Sequence, residues 1–182
     1  MKKPFPSIIG ITGQATAGKT SLANIIIRNY PGFVRLSFAD PIRAMLKAIG
    51  LTDAELSEGK HLPNPKLCMR TPRYAMQKLG TEWGREMIGD DIWRDAAKRQ
   101  AIAAYQSGLS VVFDDVRFDN EAWAIREIGG IVISVWKPGL PPPMDHASEQ
   151  GIAPALTDHF ISAHDLAELE RNALGMFNEF YE

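Results

Sequence analysis

The stretch Gly13-Gln14-Ala15-Thr16-Ala17-Gly18-Lys19-Thr20 constrains this chain most, because it fits G-x-x-x-x-G-K-[ST] at every fixed position. The apolar residues before it, 7–12, predict a buried strand, and residues 21–27 after it predict a helix. Strand, glycine loop and helix form the context of a phosphate-binding loop. The glycines let backbone N–H groups turn inward, and the helix aims its positive end at the same place. The sequence therefore predicts a site for a nucleoside triphosphate.

The residue types of this loop assign roles to its members. Lys19 is expected to reach the β- and γ-phosphates, and the Thr20 hydroxyl is expected to ligand Mg²⁺. ATP and Mg²⁺ are thus the predicted cofactors. The residues predicted to bind the nucleotide are Gly13, Ala15, Ala17, Gly18, Lys19, Thr20 and Ser21.

Length and composition exclude several classes of protein. A chain of 182 residues predicts one domain with a sizeable core. The net charge of −2 gives no global basic field for nucleic acid, and no apolar run approaches a membrane span. The single cysteine, Cys68, excludes an internal disulfide and suits a reducing compartment; we interpret it as a packed small residue. Residues 1–6 run straight into the first strand, so we expect no signal peptide and a cytoplasmic location.

Strands alternate with helices along the chain. The patterns predict strands at 7–12, 33–38, 109–113, 131–136 and 159–161, and helices at 21–27, 42–49, 72–79, 90–105, 120–128 and 166–180. Such alternation predicts an α/β fold, a three-layer α/β/α arrangement around a mainly five-stranded parallel sheet. Ligands then bind at the carboxyl ends of the strands, which collects the loop, Asp40, Asp114, Asp115 and Lys137 onto one edge. Gly80 and Gly84 either interrupt the helix that begins at Pro72 or set close packing. The apolar stripe at 166–180 packs internally or across a homodimer, and both stay open.

A second motif on the metal side ends the strand at 109–113. Val111-Val112-Phe113-Asp114-Asp115 has the character of a Walker B strand, whose terminal carboxylate holds Mg²⁺ directly or through water. A strand also ends in aspartate for reasons of turn geometry alone. The residues leave the choice between Asp114 and Asp115 open.

Arginines cluster between the second strand and the Walker B strand. Arg43, Arg70, Arg73 and Arg85 follow Asp40-Pro41 or surround the helix start at Thr71-Pro72, and a planar guanidinium suits bidentate phosphate recognition. We interpret Arg94 and Arg99, on an amphipathic helix, as a solvated surface. Tyr74 and Trp83 either stack on a base or belong to the core, and the Gln77 amide can read several base edges. Asp40 either organises metal-bound water and the acceptor-side arginines or caps the helix before Pro41.

Four further segments follow the loop in a recognisable order: Phe38-Ala39-Asp40-Pro41, Gln77 to Arg85, Asp115 to Glu121, and His146-Ala147-Ser148-Glu149. In this order the chain resembles the bacteriophage deoxynucleoside monophosphate kinases of the P-loop nucleoside monophosphate kinase superfamily, over residues 7–170. The segments Leu-Gly-Thr-Glu and Asp-Val-Arg-Phe-x-Asn-Glu are the most specific. The resemblance implies transfer of the ATP γ-phosphate to a deoxynucleoside monophosphate (dNMP), giving ADP and dNDP. It also implies a single kinase domain, 1–182, with an acceptor-binding region at about 40–90 and a lid at about 137–150.

The resemblance carries roles onto individual residues. It favours Asp115 over Asp114 as the carboxylate that shares Mg²⁺ with Thr20. The expected catalytic residues are Lys19, Asp40, Arg43, Arg85 and Asp115, which position and neutralise the phosphates during in-line transfer. The expected substrate-binding residues are Asp40, Arg43, Arg70, Arg73, Tyr74, Gln77, Trp83, Arg85 and Arg117.

The chain departs from the family pattern in the lid, where 137–150 holds one lysine and no arginine. After the fourth strand, the family resemblance leads us to expect an arginine that binds the ATP phosphates, and this chain has Lys137 there. Either Lys137 acts with Arg117 or Arg126, or the lid is weaker. His146 and Glu149 match the family segment without a derived role.

Two other functions compete with dNMP phosphorylation. One is another small-molecule P-loop kinase, such as a dephospho-coenzyme A kinase, against which the segment from Asp115 to Glu121 argues. The other is a nucleotide-dependent switch or packaging ATPase, and the net charge of −2 argues against a DNA-bound form. We predict no nucleic-acid or membrane partner. Base preference, discrimination of the ribose 2′-OH and oligomeric state stay open.

Overall fold

The structure is a computed structural model that describes residues 6–141 and 151–180. Its centre is a parallel sheet whose strands are β1 (Ile8–Thr12), β2 (Phe33–Leu36), β3 (Ser110–Phe113), β4 (Ile131–Trp136) and β5 (His159–Ser162). The strand order is β2-β3-β1-β4-β5, and every neighbouring pair is parallel. The prediction of a five-stranded parallel α/β fold is therefore confirmed.

The helices are α1 (Lys19–Asn29), α2 (Asp40–Ala48), α3 (Asp53–Leu56), α4 (Pro72–Lys78), α5 (Ile92–Gln106), α6 (Asp119–Glu127) and α7 (Leu166–Asn178). A π-helical segment, Leu79–Ile88, continues α4, and 3₁₀ turns occupy Glu58–His61, Pro65–Leu67 and Pro154–Leu156. The predicted elements all exist, and their ends lie within two residues of the observed ones, except that α4 runs on as a π-helix from Leu79.

One face of the sheet is covered by α1 and α7. Alternate side chains of β1 and β4, such as Ile9 and Val135, point to this face and join one buried cluster with Leu22 of α1. From α7, Leu169 and Phe177 enter the same cluster. The internal packing predicted for the 166–180 stripe is thus confirmed for its buried members, and a homodimer stays a prediction.

The opposite face carries α6, which packs against β1 and β4. Ile125 of α6 is buried and lies against Gly10 and Val116. A salt bridge of 2.8 Å between Lys98 and Glu127 ties α5 to α6. Helices therefore flank the sheet on both sides, as the α/β/α prediction requires.

The chain divides into two compact units, Met1–Ser37 with Ala97–Glu182 and Phe38–Ala96. The first contains the sheet. The second has its own apolar cluster, which contains Ile42, Leu46, Leu51, Leu56 and Trp93. The expectation of a single kinase domain with an acceptor-binding region near 40–90 stays a prediction.

The π-helical segment is held by Trp93. Its indole Nε1 donates a hydrogen bond of 2.7 Å to the Gly80 carbonyl oxygen. The ring also lies so close to Gly84 that a Cβ there would be 2.5 Å from it. Of the two roles predicted for Gly80 and Gly84, close packing is confirmed.

In the described ranges, 6–141 and 151–180, the helices are all too short or too polar to cross a membrane.

Candidate nucleotide-binding site

The loop between β1 and α1 has the conformation that its glycines allow. Gly13 has a φ of 138° and Gly18 a φ of 105°, values that side-chain-bearing residues rarely adopt. At Gly13 a Cβ would lie 2.2 Å from the Val135 carbonyl oxygen at the end of β4. The sheet therefore fixes where the loop begins, and only glycine fits there.

Lys19, the first residue of α1, folds back over this loop. Its Nζ donates hydrogen bonds of 2.7 Å to the carbonyl oxygens of Gly13 and of Gln14. The first turn of α1 contains no acidic residue, so the positive end of the helix dipole is not offset there. Ala17 is buried at the base of the loop, Ser21 is half-buried and Ala15 is exposed.

The other side of the loop is joined to β3 through Asp114. The Thr20 Oγ1 donates a hydrogen bond of 2.8 Å to Asp114 Oδ2. Arg35 of β2 approaches the same oxygen at 3.4 Å and donates to Asn24 Oδ1 of α1 at 3.1 Å. The sequence analysis missed Arg35 and Asn24, because no motif marks them and they meet only through the packing of α1 against β2 and β3.

Asp115 has a different partner. Its Oδ2 accepts a hydrogen bond from the hydroxyl of Ser37, whose residue is 4% exposed. Of the two aspartates, it is Asp114 that contacts Thr20, whereas the family resemblance favoured Asp115. Adjacent residues at a strand end point to opposite sides, so only one of them can face α1.

The donors at Thr20 and Asp114 fit a magnesium ion. A hydroxyl oxygen and a carboxylate oxygen are the hard ligands that Mg²⁺ takes, and Mg²⁺ completes its shell with water and substrate phosphates. No group of three or more His, Cys, Asp or Glu side chains forms a cluster within the described part of the chain. The donor set therefore suits an ion that is delivered with a nucleotide rather than a dedicated protein cage.

Glu121 is a buried carboxylate that the sequence analysis quoted without assigning a role. It is 3% exposed, and its Oε2 accepts hydrogen bonds from the backbone N–H groups of Arg117 (2.8 Å) and Phe118 (3.2 Å). These bonds fix the backbone that carries Arg117 between β3 and α6. The signal for such a residue is a glutamate a few positions after a strand end, where helix starts use carboxylates.

The lid candidates are distributed over both edges of the sheet. Lys137 directly follows β4 and is half-buried, at the same edge as the loop after β1. Arg126 pairs at 2.9 Å with Asp158, whose other oxygen accepts from the Val132 N–H at the start of β4. Arg126 therefore lies at the opposite edge, and its predicted part at the phosphates is wrong. Residues 142–150, with His146 and Glu149, lie outside the described residues.

In the unit Phe38–Ala96, Asp40 opens α2. Its Oδ1 pairs at 3.0 Å with Arg43 Nη1, one turn later. The helix starts at Asp40 itself with Ala39 before it, so the alternative that Asp40 caps the helix is wrong. The structure thus brings two predicted acceptor-side residues together.

Arg70 lies over an aromatic ring in the same unit. Its guanidinium carbon is 5.1 Å from the centroid of the Tyr74 ring, and Lys78 Nζ is 5.7 Å from it. An ion pair with Glu82 raises the pKa of Lys78. Cys68, two residues before Arg70, is exposed, so its interpretation as a packed residue is wrong.

The remaining acceptor candidates lie along the helical segment from α4 onward. Trp83 packs on Trp93, with ring centroids 6.0 Å apart, and is half-buried against the apolar cluster of this unit, which fits the core alternative. Arg85 Nη1 donates to the Asp90 carbonyl oxygen at 3.0 Å. Arg73 and Gln77 are half-buried on α4.

Comparison with known proteins decides the family. The model of the family described as deoxynucleotide monophosphate kinase matches residues 64–172, more than half of the chain. The chain belongs to the deoxynucleotide monophosphate kinase family. The match includes the turn that carries Arg70, the segment Gln77 to Arg85, and the strand that ends in Asp114 and Asp115.

Two curated relatives of this chain come from viruses. A protein of Acanthamoeba polyphaga mimivirus, assigned by name to the deoxynucleotide monophosphate kinases, is 32% identical over 156 residues, covering 78% of this chain and 80% of the relative. The deoxynucleoside-5'-monophosphate kinase of Escherichia phage T5 is 31% identical over 103 residues, covering 52% of this chain and 40% of that protein. A gluconokinase crystal structure from Sinorhizobium meliloti 1021 is 17% identical, with a TM-score of 0.43 over 97% of this chain and 94% of that one.

Membership of the family confirms the predicted resemblance and makes the chain an enzyme, a nucleotide monophosphate kinase. The dephospho-coenzyme A kinase and the nucleotide-dependent switch or ATPase are not favoured.

Proposed function

We propose that this kinase transfers the γ-phosphate of ATP to a deoxynucleoside 5'-monophosphate, giving ADP and a dNDP. The observation that carries the proposal is the arrangement of Lys19, Thr20 and Asp114 around the β1–α1 loop, in a chain of this family. A loop of this kind holds phosphates, and the family name states the acceptor class.

ATP is the proposed ligand of the β1–α1 loop. Lys19 Nζ, which donates to two loop carbonyl oxygens, exchanges them for phosphate oxygens when the nucleotide binds. The loop amides and the start of α1 add positive potential at the same place, which lowers the cost of the charge that develops during transfer. Lys137, at the same edge of the sheet, is the proposed further cation for the ATP phosphates.

Mg²⁺ is the proposed metal, held by Thr20 and Asp114. The supporting observation is their direct hydrogen bond of 2.8 Å, while Asp115 is engaged by Ser37. Held by Thr20 and Asp114, the metal would supply positive charge that neutralises the phosphates during transfer. Asp115 is proposed to keep β2 and β3 aligned at this edge through Ser37, and direct metal binding by Asp115 is the competing assignment.

The acceptor dNMP is the proposed ligand of the unit Phe38–Ala96. Planar guanidinium groups match a monoester phosphate through paired N–H donors, which a lysine ammonium does not. The side chains of this unit proposed to bind the acceptor are Asp40, Arg43, Arg70, Arg73, Gln77 and Arg85. Arg117 belongs to the other unit and stays a predicted phosphate ligand.

The experiment that tests the function is ADP release from Mg-ATP with each dNMP and each NMP in turn, with the nucleotide product identified. We expect dNDP in equal amount to ADP. Lys19→Ala should abolish the reaction, whereas Lys98→Ala, which removes a surface ion pair with Glu127, should leave it unchanged. ATP turnover that is indifferent to every acceptor would show that the proposal is wrong.

A further inference from the structure

The chain from 64 to 70 forms a turn organised around one buried polar residue, Asn64, which is 6% exposed. Its backbone N–H donates to the Arg70 carbonyl oxygen at 3.1 Å, and its backbone oxygen accepts from Leu67 and Met69 at 3.0 Å each. Its side-chain Oδ1 accepts from the Lys66 N–H at 2.9 Å. The backbone bond from Asn64 to Arg70 therefore joins the two ends of the turn.

Glu55 fixes this turn to α3. Its Oε1 accepts from the Asn64 side-chain amide at 2.8 Å, and Lys66 Nζ pairs with its Oε2 at 2.9 Å. Its Oε2 also accepts from the Thr52 N–H at 2.7 Å, which completes the capping box of the helix. One carboxylate thus joins the helix start to both polar groups that shape the turn.

The turn contains backbone strain that burial does not explain. Cys68 and Met69 follow one another in the left-handed region, with φ of 50° and 64°, although neither is glycine. Both side chains are exposed, so the strain does not serve to bury them. The two residues directly precede Arg70, so their conformation sets the direction in which the backbone enters that residue.

The guanidinium of Arg70 is held as well as its backbone. It lies 5.1 Å from the centre of the Tyr74 ring, and Thr71 Oγ1 accepts from the Tyr74 N–H at 3.1 Å at the start of α4. Arg70 remains exposed, and within the described ranges no carboxylate pairs with it. By contrast, Arg43 pairs with Asp40 and Arg85 donates to a backbone oxygen.

We propose that Glu55, Asn64 and Tyr74 are positioning residues that hold Arg70 ready to bind the phosphate of the acceptor nucleotide. The inference rests on the proposed transfer to a dNMP, and it assigns to Glu55, Asn64 and Tyr74 a role that no sequence motif indicated. A guanidinium group that is already held on an aromatic ring loses less conformational freedom on binding a phosphate than a free one does. The affinity for the acceptor is therefore higher.

The ring of Tyr74 is tested first, because the side chain is 40% exposed and its replacement leaves the core intact. Arg70→Ala should raise the KM for dNMP about tenfold or more, and Tyr74→Leu about threefold. Tyr74→Phe keeps the ring beneath Arg70 and should raise this KM less than Tyr74→Leu does. The KM for ATP should not change in any of them, whereas a merely structural defect would lower kcat through the active fraction.

The coupling between residues supplies the second test. In an Arg70→Ala background, Tyr74→Leu should add no further change in the KM for dNMP, because its effect acts through Arg70. Asn64→Ala and Glu55→Gln should raise the same KM in the wild-type background. The control is Asp53→Asn in the same helix, which pairs with Lys47 and does not contact the turn; it should have no effect.

Each outcome is decisive. An unchanged KM for dNMP in Tyr74→Leu, or an equal extra loss in the Arg70→Ala background, would overturn the positioning role while the wild-type kinase still turns over dNMP. Absence of dNMP-dependent turnover in the wild-type protein would instead overturn the proposed function itself.

Discussion

Gly13 lies where the phosphate loop leaves the sheet, and its lack of a side chain is a geometric requirement. A Cβ would stand 2.2 Å from the Val135 carbonyl oxygen, and its φ of 138° is strained for any other residue. We predict that Gly13→Ala lowers the free energy of unfolding by about 2 kcal/mol or more. Urea unfolding measures it.

Gly175 supplies the control for this prediction. It lies in α7 with no atom near the place a Cβ would take, so Gly175→Ala should raise the free energy of unfolding by about 0.5–1 kcal/mol. Equal effects of the two substitutions would contradict the role of close approach at Gly13.

The two aspartates after β3 differ in their partners, and this difference predicts different kinetics. Asp114→Asn should lower kcat about tenfold or more and raise the Mg²⁺ concentration needed for half-maximal activity, because the carboxylate at Thr20 loses its charge. Asp115→Asn keeps an oxygen for the Ser37 hydroxyl and should change both values less. Magnesium titrations of the two variants decide the matter, and the reverse ranking would restore Asp115 as the metal-side residue.

At the residue scale, the sequence predicts the residues that belong to a motif of fixed spacing. It does not predict roles that depend on contacts between residues far apart in the chain. The loop residues follow from the motif, since its chemistry requires them at those positions. The choice between Asp114 and Asp115 depends on strand pairing, and the exposure of Cys68 depends on a turn shaped by Asn64. Arg126 looked equivalent to Arg117 because both are basic and near β3 in sequence, yet a helix carries Arg126 to the other edge of the sheet.

At the scale of single elements, the π-helical segment Leu79–Ile88 is a structure that the sequence pattern does not predict. Glycines in a helical pattern predict either a break or close contact, and the sequence leaves both open. In the wide turn the Gly89 N–H is bonded to the Gly84 oxygen at 2.9 Å, and the Trp93 ring fills the space beside Gly84. Trp93 belongs to the next helix, so the sequence of the segment itself does not indicate this contact.

The α3 capping box predicts a pH dependence. Hydrogen bonds from Lys66 above all, then from the Thr52 backbone and the Asn64 side chain, lower the pKa of Glu55 from 4.5 to about 2. Because the folded pKa is depressed, the ionised carboxylate contributes stability above pH 4.5, and this is lost as the pH falls from 4.5 toward 2. Wild-type protein should therefore have a higher Tm than Glu55→Gln above pH 4.5, and the difference should shrink below it.

Thermal unfolding of the two proteins across this pH range measures the effect. The Asp53→Asn variant is the control, since Asp53 pairs with Lys47 and not with Glu55 or the groups that lower the pKa of Glu55. A Tm difference that stays constant from neutral to acidic pH would contradict the assignment to the ionised Glu55.

At the scale of the whole molecule, the strand order explains why the nucleotide loop follows β1. In the order β2-β3-β1-β4-β5, β1 is central, and the chain passes to β2 and β3 on one side before crossing to β4 and β5 on the other. Connections that diverge to both sides leave a crevice at the carboxyl end of the central strand. The alternation of strands and helices predicts a parallel sheet, whereas the order depends on which apolar strands pair and could not be derived from their composition.

The two compact units predict separable responses to the two substrates. Mg-ATP should slow amide hydrogen exchange at the β1–α1 loop, and a dNMP should slow it in the turn 64–70 and at α4, because a ligand that binds only the folded state stabilises what it contacts. Lys19→Ala should remove the protection by Mg-ATP and keep the protection by a dNMP. Arg70→Ala should remove the protection by a dNMP and keep that by Mg-ATP. If a dNMP instead protected only the β1–α1 loop, the assignment of the acceptor to the unit Phe38–Ala96 would be wrong even in an active kinase. Hydrogen exchange measured with each ligand alone therefore tests which unit binds which substrate, independently of turnover.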